Sequence, residues 1–378
     1  MNVGQSLTEQ DGDAGNFFTG VPDSLLKNLL AYISSNTSKK NNIIAANEGT
    51  AIGIGIGYHL ATNKIPLIYM QNSGIGNSFN PLISLADENI YSIPMVLVIG
   101  WRGEIKNFKQ INDEPQHKKQ GAITLNQLRL LDIPFKIINH NTKSLDKIFK
   151  TLLKVSEKKQ SPVALVVRKN TFKNLDNKKM QITKKYLYRE EIIKDIIEIS
   201  KKDNIILSTT GMASRELSEI RKSKKQNDLK DFLTVGGMGH VSQIAAAIAM
   251  NKRKSKVICI DGDGSLLMHL GSLGLCSKFK NLIHVLINNK SHDSVGGQPT
   301  LGKSINFVKI AKICGYKNTI LIKKKSSIKK NLKKAFEQKS NSFLQIDCKK
   351  GYRDNLGRPD RNMNKRKNFF IKRLGLLK

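Results

Sequence analysis

The sequence predicts an α/β protein built from two doubly wound, parallel-sheet domains that are copies of one unit. Three observations predict it. Unbroken apolar runs, among them MVLVIG (Met95 to Gly100) and VICI (Val257 to Ile260), read as strands buried on both faces. Helical patterns rich in small residues separate these runs, which is the strand–helix–strand alternation of a parallel sheet. The chain also resembles itself: EGTAIGIGIGYHLATNKIPLIYMQNSGIG, from Glu48, falls on GGMGHVSQIAAAIAMNKRKSKVICIDGDG, from Gly236, an offset of 188 positions.

The elements follow in order. FFTGVPDSLLKNLL (Phe17 to Leu30) reads as strand, glycine turn, polar cap and helix, and IILSTTGMASRELSEI (Ile205 to Ile220) repeats that order. NIIAA reads as a strand ending near Ala46. GIGIG, Gly53 to Gly57, then lies too far from the strand for a dinucleotide fingerprint and is expected inside a helix, where its glycines allow close packing. MVLVIG corresponds, one residue out of step, to HVLINN (His284 to Asn289) in the second copy. The lysine-rich stretch from Lys173 to Glu191 is the seam, giving domains 1–180 and 181–378.

Composition narrows the class. At 39% hydrophobic residues the chain is globular rather than disordered. The net charge of +34 comes from lysines scattered through loops and helix surfaces, with no nucleic-acid motif beside them. Solvated surface is therefore expected, with no nucleic-acid partner. The N-terminus carries no basic-then-apolar leader pattern and no apolar run is long enough to span a bilayer, so no membrane partner and a cytoplasmic location are expected. Cys259, Cys276, Cys314 and Cys348 lack zinc-knuckle spacing and read as reduced, mostly buried thiols.

The chemistry concentrates where VICI stops at Asp-Gly-Asp-Gly. Asp263 stands between two glycines directly after a strand, and Asn288-Asn289 follows the next strand, with 23 residues between Gly264 and Asn288, enough for one helix and one strand. Both therefore meet at the carboxyl edge of a doubly wound sheet, where ligands bind. A carboxylate, an amide oxygen and a backbone carbonyl form a hard-oxygen set suited to magnesium shared with phosphate. The helix expected from near Ser265 adds amide donors for those phosphates.

This constellation resembles the thiamine diphosphate motif. With FFTGVPDS, NEGTAIGIGIGYHLAT, QNSGIGNSFNPLISL, PMVLVIGWRGE, DEPQHKKQG, TTGMASREL, GGMGHVSQIAAAIA, GDGSLLMHLG, NNKSHDSVGGQPT and GYRDNLGRP, it is similar to the phosphonopyruvate decarboxylases of the thiamine diphosphate-dependent decarboxylase superfamily. Sulfopyruvate decarboxylases are near relatives. The resemblance implies two domains of thiamine diphosphate-binding fold, the first for the pyrimidine and the second for the diphosphate. It further implies thiamine diphosphate and Mg²⁺ as cofactors, a small anionic 2-oxo acid as substrate, and a homodimer or larger homo-oligomer with active sites between chains. The implied reaction converts 3-phosphonopyruvate to phosphonoacetaldehyde and CO₂ in phosphonate biosynthesis; the alternatives are decarboxylation of sulfopyruvate or of another 2-oxo acid.

The same resemblance distributes roles. Glu48 in NEGTA matches the acid that bonds the pyrimidine nitrogen, although by itself it also reads as a helix-capping acid. Asp263, Asn289 and the carbonyl of Ser291 match the metal ligands. Thr210, Gly211, Gly264 and Ser265 would hold the diphosphate, and the Gly236 carbonyl would accept from the cofactor's amino group. Met238 would prop the cofactor, or else simply pack. Arg102 and His117 are candidates for recognising phosphonate and carboxylate through charge-assisted bonds, His117 being also assigned a catalytic part. Ser73, Asn77, His240 and His292 lie on loops expected to face the substrate. Two departures stand out: the polar first sixteen residues, where the family has a helix, and the insert IKNFKQIN (Ile105 to Asn112) before DEPQH.

Overall fold

The computed structural model describes residues 17–172, 186–226, 231–359 and 362–376. The polar first sixteen residues and most of the lysine-rich seam, with the expected boundary at 180, lie outside these. The chain divides into two compact units, Met1–Lys178 and Lys179–Lys378.

The first unit contains β1 (Phe18–Gly20), β2 (Asn42–Ile44), β3 (Leu67–Gln71), β4 (Met95–Gly100), a small hairpin β5 (Ile105–Lys106) and β6 (Lys109–Gln110), then β7 (Phe135–Ile138) and β8 (Pro162–Val167). Six of these form one parallel sheet in the order β2-β1-β3-β4-β8-β7. The second unit contains β9 (Ile205–Ser208), β10 (Asp231–Leu233), β11 (Val257–Gly262), β12 (Leu282–Asn288), β13 (Asn318–Ile322) and β14 (Ser342–Asp347), parallel throughout, in the order β10-β9-β11-β12-β14-β13. With the hairpin set aside, the strands of each unit lie in the same permutation of their chain order. The internal repeat is thus present as topology. The insert IKNFKQIN supplies the hairpin, an addition to the loop after β4 that leaves the sheet unchanged.

Strand alternation explains the layers. In the first unit Val96 and Val98 of β4 pack with Leu29, Ile33, Phe149 and Leu152 on one face. Leu97 and Ile99 pack with Ala51, Ile52, Ile56 and Leu128 on the other. Successive side chains of a strand point to opposite faces, so a strand covered by helices on both sides is buried at every position. β4, β8 and β12 are buried along their whole length for this reason. In the second unit Ile258, Ile260, Ile283 and Val285 meet the Arg189–Ile199 helix through Ile192, Ile193 and Ile196.

Several local expectations shift. GIGIG does lie inside a helix, Glu48–Thr62, but only Gly55 serves close packing: a Cβ there would sit 2.6 Å from Ile68 Cδ1, whereas Gly53 and Gly57 have nothing within 4 Å. Strand β2 ends at Ile44, before the expected Ala46. Strand β11 runs two residues past VICI to Gly262, and the next helix begins at Asp263 rather than near Ser265. Cys259 and Cys276 are buried free thiols, while Cys314 and Cys348 are half-buried. No helix of the described residues is long and apolar enough to cross a membrane.

Phe149 is wholly buried between the Leu145–Lys159 helix and the sheet. Phe149→Ala removes a ring from a packed layer and should destabilise the first unit by about 3–5 kcal/mol. Urea unfolding followed by circular dichroism measures it; a midpoint equal to wild type would show that this layer can repack.

Candidate active site

In the first unit, loops leaving the carboxyl ends of β1 to β4 gather the candidate residues. Glu48 is the first residue of its helix and is 5% exposed. The helix is capped by Asn47, whose side chain accepts from Thr50 N at 2.8 Å, so Glu48 is not needed as its cap. The Glu48 carboxylate instead accepts from Asn77 Nδ2 at 2.7 Å. Gly74 closes over it, since a Cβ there would lie 2.5 Å from Glu48 Cγ. The structure thus joins Asn77 to Glu48 as its positioning partner. Ser73 goes elsewhere: its hydroxyl donates to Gln71 Oε1 at 2.9 Å, and Gln71 Nε2 donates to Asp23 Oδ1 at 2.7 Å.

Asp23 was read from the sequence only as part of a turn and cap. It is fully buried, accepts from Leu25 N at 2.9 Å, and a Cβ on Gly100 would approach its Oδ2 to 2.1 Å. Burial raises its pKa, with the Gln71 bond and the nearby Arg102 charge pulling the other way. The missed signal was an acid after a glycine turn at a strand's carboxyl end, the same placement that singled out Asp263.

Arg102 is less available than its position in WRGE implies. Its Nε donates to Asp113 Oδ2 at 2.8 Å, one terminal nitrogen donates to Asp113 Oδ1, and the other donates to Ser24 Oγ at 2.9 Å. Three of the guanidinium's five N–H groups are engaged and its charge is matched by Asp113. Burial opposes ionisation of Asp113, but the Arg102 bonds hold its carboxyl below the usual range. His117 lies in the first turn of the Pro115–Leu130 helix and is buried. Burial and then the Arg102 charge lower its pKa to about 4. In the free protein the imidazole is therefore neutral at neutral pH, and a charge-assisted role for it requires an anion beside it to raise that pKa.

In the second unit, Thr210, Met238, Asp263, Ser265, Asn289 and Ser291 line one cavity at the carboxyl edge of the sheet. Gly264 and His292 line it too. Gly211 sits beside Thr210 at the start of the Met212–Ser223 helix with φ of +89°, a conformation that suits glycine. Gly236 lies on the loop after β10, outside the cavity lining. His240 is exposed, its ring edge-on to His269 at 4.6 Å.

Three loops are tied together by Ser265, whose hydroxyl accepts from Thr209 Oγ1 at 2.9 Å and from Gly239 N at 3.2 Å. Asp263 is buried and its Oδ2 accepts from Thr300 Oγ1. Burial raises its pKa to about 6, against the Thr300 bond and nearby backbone amides. Asn289 Nδ2 donates to Asp293 Oδ2 at 2.7 Å, which fixes the amide's orientation, and its Oδ1 accepts from Ser291 N at 3.1 Å. Asp293 Oδ2 also accepts from Arg189 at 3.1 Å and from Gly351 N at 3.0 Å. Gly264 leaves room for the His292 ring, which a Cβ would approach to 2.9 Å. Burial lowers the His292 pKa to about 4. Thr300, Asp293 and Arg189 were not singled out from the sequence, because their effect is on the orientation of Asp263 and Asn289.

The cavity fits a metal–diphosphate group. Its carboxylate, amide and carbonyl oxygens suit Mg²⁺. Ser291 Oγ and Asp293 Oδ1 are buried in its lining without a hydrogen-bond partner among the described residues. A Cβ on Gly262 would meet nothing nearer than Thr209 Cγ2 at 4.0 Å, so the backbone there is open to close approach.

Comparison with known proteins shows the family. The family model for the N-terminal TPP binding domain of thiamine pyrophosphate enzymes matches residues 13–127, and that for the C-terminal TPP binding domain matches residues 209–346. The chain belongs to the thiamine pyrophosphate enzyme family. It is 28% identical over 357 residues to a phosphonopyruvate decarboxylase of Streptomyces viridochromogenes, covering 90% of this chain and 86% of that one. It is 40% identical over 156 residues to sulfopyruvate decarboxylase subunit beta of Methanocaldococcus jannaschii, 40% of this chain and 79% of the relative. It is 30% identical over 171 residues to sulfopyruvate decarboxylase subunit alpha of Methanococcus maripaludis, 44% of this chain and 95% of the relative. In this thiamine pyrophosphate enzyme, then, each unit carries one of the family's two cofactor-binding domains.

The depressed pKa of His117 gives a signed expectation. A neutral imidazole is favoured by folding, so its contribution is complete above pH 6.5 and is lost as pH falls through about 4. That contribution amounts to roughly 3 kcal/mol. His117→Gln should flatten the decline in unfolding free energy between those pH values, measured by urea titration. A His117 ring resonance titrating near 6.5 in NMR would contradict it.

Proposed function

We propose that the chain is a carboxy-lyase that uses thiamine diphosphate and Mg²⁺ to convert 3-phosphonopyruvate into phosphonoacetaldehyde and CO₂. The carbon–carbon bond to the carboxylate breaks, CO₂ leaves, and a proton takes its place on the carbonyl carbon. The observation that carries the reading is the buried Glu48 carboxylate, held by Asn77 and closed in by Gly74. A buried acid at a sheet's carboxyl edge with a single amide donor beside it is costly unless it has a further partner to meet there.

Bound thiamine diphosphate supplies an electron sink for the pair left when CO₂ departs. Glu48 holds a proton at the pyrimidine nitrogen. Asp263, Asn289 and the Ser291 carbonyl hold Mg²⁺. Thr210, Gly211, Gly264 and Ser265 receive the diphosphate, the Gly236 carbonyl accepts from the amino group, and Met238 supports the ring system. Arg102 has N–H groups left over from Asp113 and Ser24, and together with His117 it faces the distal phosphonate. A dianion there would draw the His117 pKa back up. Ser73 and His292 complete the polar surroundings. The proposed assembly is a homodimer or larger homo-oligomer.

A second reading, with sulfopyruvate as substrate, is favoured by the 40% identity to a sulfopyruvate decarboxylase subunit. Charge separates the two. Phosphonate reaches two negative charges near neutral pH, sulfonate one, and pyruvate's methyl none. A coupled aldehyde assay should show phosphonopyruvate turned over fastest, and Arg102→Ala or His117→Ala should lower its kcat/KM about tenfold or more while barely changing slow pyruvate turnover. Faster sulfopyruvate turnover would move the assignment to the sulfonate; equal losses on all three substrates would place both residues at the shared keto-acid end.

Glu48→Gln should abolish turnover and leave cofactor affinity within a few-fold, because the amide keeps the shape but not the charge. Asp263→Ala should lose Mg²⁺ and thiamine diphosphate together in equilibrium dialysis. Normal turnover in the first variant, or unchanged cofactor retention in the second, would remove that residue from the scheme.

A further inference from the structure

Beneath the Asp263 and Asn289 loops, the second sheet carries a polar cluster that the decarboxylation does not use. Cys259 and Asp261 alternate along β11 with Ile258 and Ile260, so they point away from the layer formed with the Arg189–Ile199 helix. His284 of β12 is the direct register partner of Cys259. All three are at most 1% exposed. The thiol sulfur, a carboxylate oxygen and an imidazole nitrogen lie within 4.8 Å of one another.

Each of the two polar side chains has one atom tied and one left over. Asp261 Oδ1 accepts from Gly262 N at 2.9 Å, and Oδ2 has no hydrogen-bond partner among the described residues. His284 Nδ1 lies 3.2 Å from Tyr316 Oη, and Nε2 likewise has no hydrogen-bond partner. The two leftover atoms are 3.4 Å apart. That is long for a direct N–H···O bond. It matches the edge of a tetrahedron about 3.3–3.4 Å wide around an ion bound at about 2.0–2.1 Å. Outer partners that fix a histidine's tautomer and leave its other nitrogen for an ion are a regular feature of metal sites.

We propose that Cys259, Asp261 and His284 bind a borderline-soft divalent cation, Zn²⁺ by their ligand chemistry, at a structural site separate from the Mg²⁺ of the cofactor. Thiolate, imidazole and carboxylate together favour zinc over magnesium, which takes oxygen ligands. The charges also close: one thiolate and one carboxylate neutralise a divalent ion, which suits a site with almost no exposure. The ion would fasten β11 to β12 just before the strands deliver Asp263 and Asn289.

The test uses full-length protein purified under reducing conditions and dialysed against Mg²⁺ and thiamine diphosphate. Mass-spectrometric metal analysis should find about one zinc per chain. Replacement by Co²⁺ should give a thiolate-to-cobalt charge-transfer band, absent from Cys259→Ser. Asp263→Ala should keep the zinc, and His284→Gln should lose it. Wild-type protein with below about 0.1 zinc per chain even after refolding with Zn²⁺ would overturn the proposal. So would a cobalt form without the charge-transfer band, or loss of the ion in Asp263→Ala. Where a cluster variant fails to fold, the wild-type stoichiometry and cobalt spectrum decide.

Discussion

Parallel pairing is the constraint on which the rest of each unit depends. Strands joined by crossover helices all start at one edge and end at the other, and both faces of the sheet are covered. A functional group can then reach open space only where a strand ends and its loop begins. Asp23, Glu48 and Arg102 follow β1, β2 and β4 in one unit, and Gln71 ends β3. Thr210, Met238, Asp263 and Asn289 follow β9 to β12 in the other. The two sets use corresponding edges of two sheets with one topology, so equivalent loops carry two different chemistries.

Bringing carboxylates to such an edge creates a desolvation problem, and the two units meet it with arginine. Arg102 joins Asp113 through a two-point bond and lies close to Asp23. Arg189 is almost wholly buried, makes a two-point bond to Glu216 at 2.8 and 2.9 Å, and reaches Asp293 with its remaining terminal nitrogen. Asp293 in turn orients Asn289. Removing Arg189 would leave Glu216 and Asp293 without their cation at a nearly unexposed site, so that network acts as a unit. Arg353 extends the second unit's set at its rim, bonding Glu190 and Glu219.

Glycine does a complementary job. Gly74 admits the Glu48 side chain, Gly100 the Asp23 carboxylate, Gly264 the His292 ring and Gly302 the Asp263 carboxylate. In each case a methyl group would come within 3 Å of the functional side chain. The chemistry of the site is therefore set partly by positions that carry no side chain, and the same logic places Gly103 and Gly121 in mutual backbone contact behind His117.

By itself the sequence determined what depends on local pattern: unbroken apolar strands, helices between them, the repeat, and an acid and an amide delivered at spaced strand ends. Those signals survive because parallel strands and strand–turn–helix junctions are short-range features. It also showed Glu48, Asp263 and Asn289 through their motif positions. Only the tertiary structure decided which residues brace them, because those partners are far away in the chain: Asn77 stands 29 residues from Glu48 and Thr300 stands 37 from Asp263. It likewise turned Arg102 from a lone cation into half of an ion pair, and buried His117 so that its pKa falls in the free protein. Charge state depends on burial and on neighbours from other elements, which no local pattern encodes.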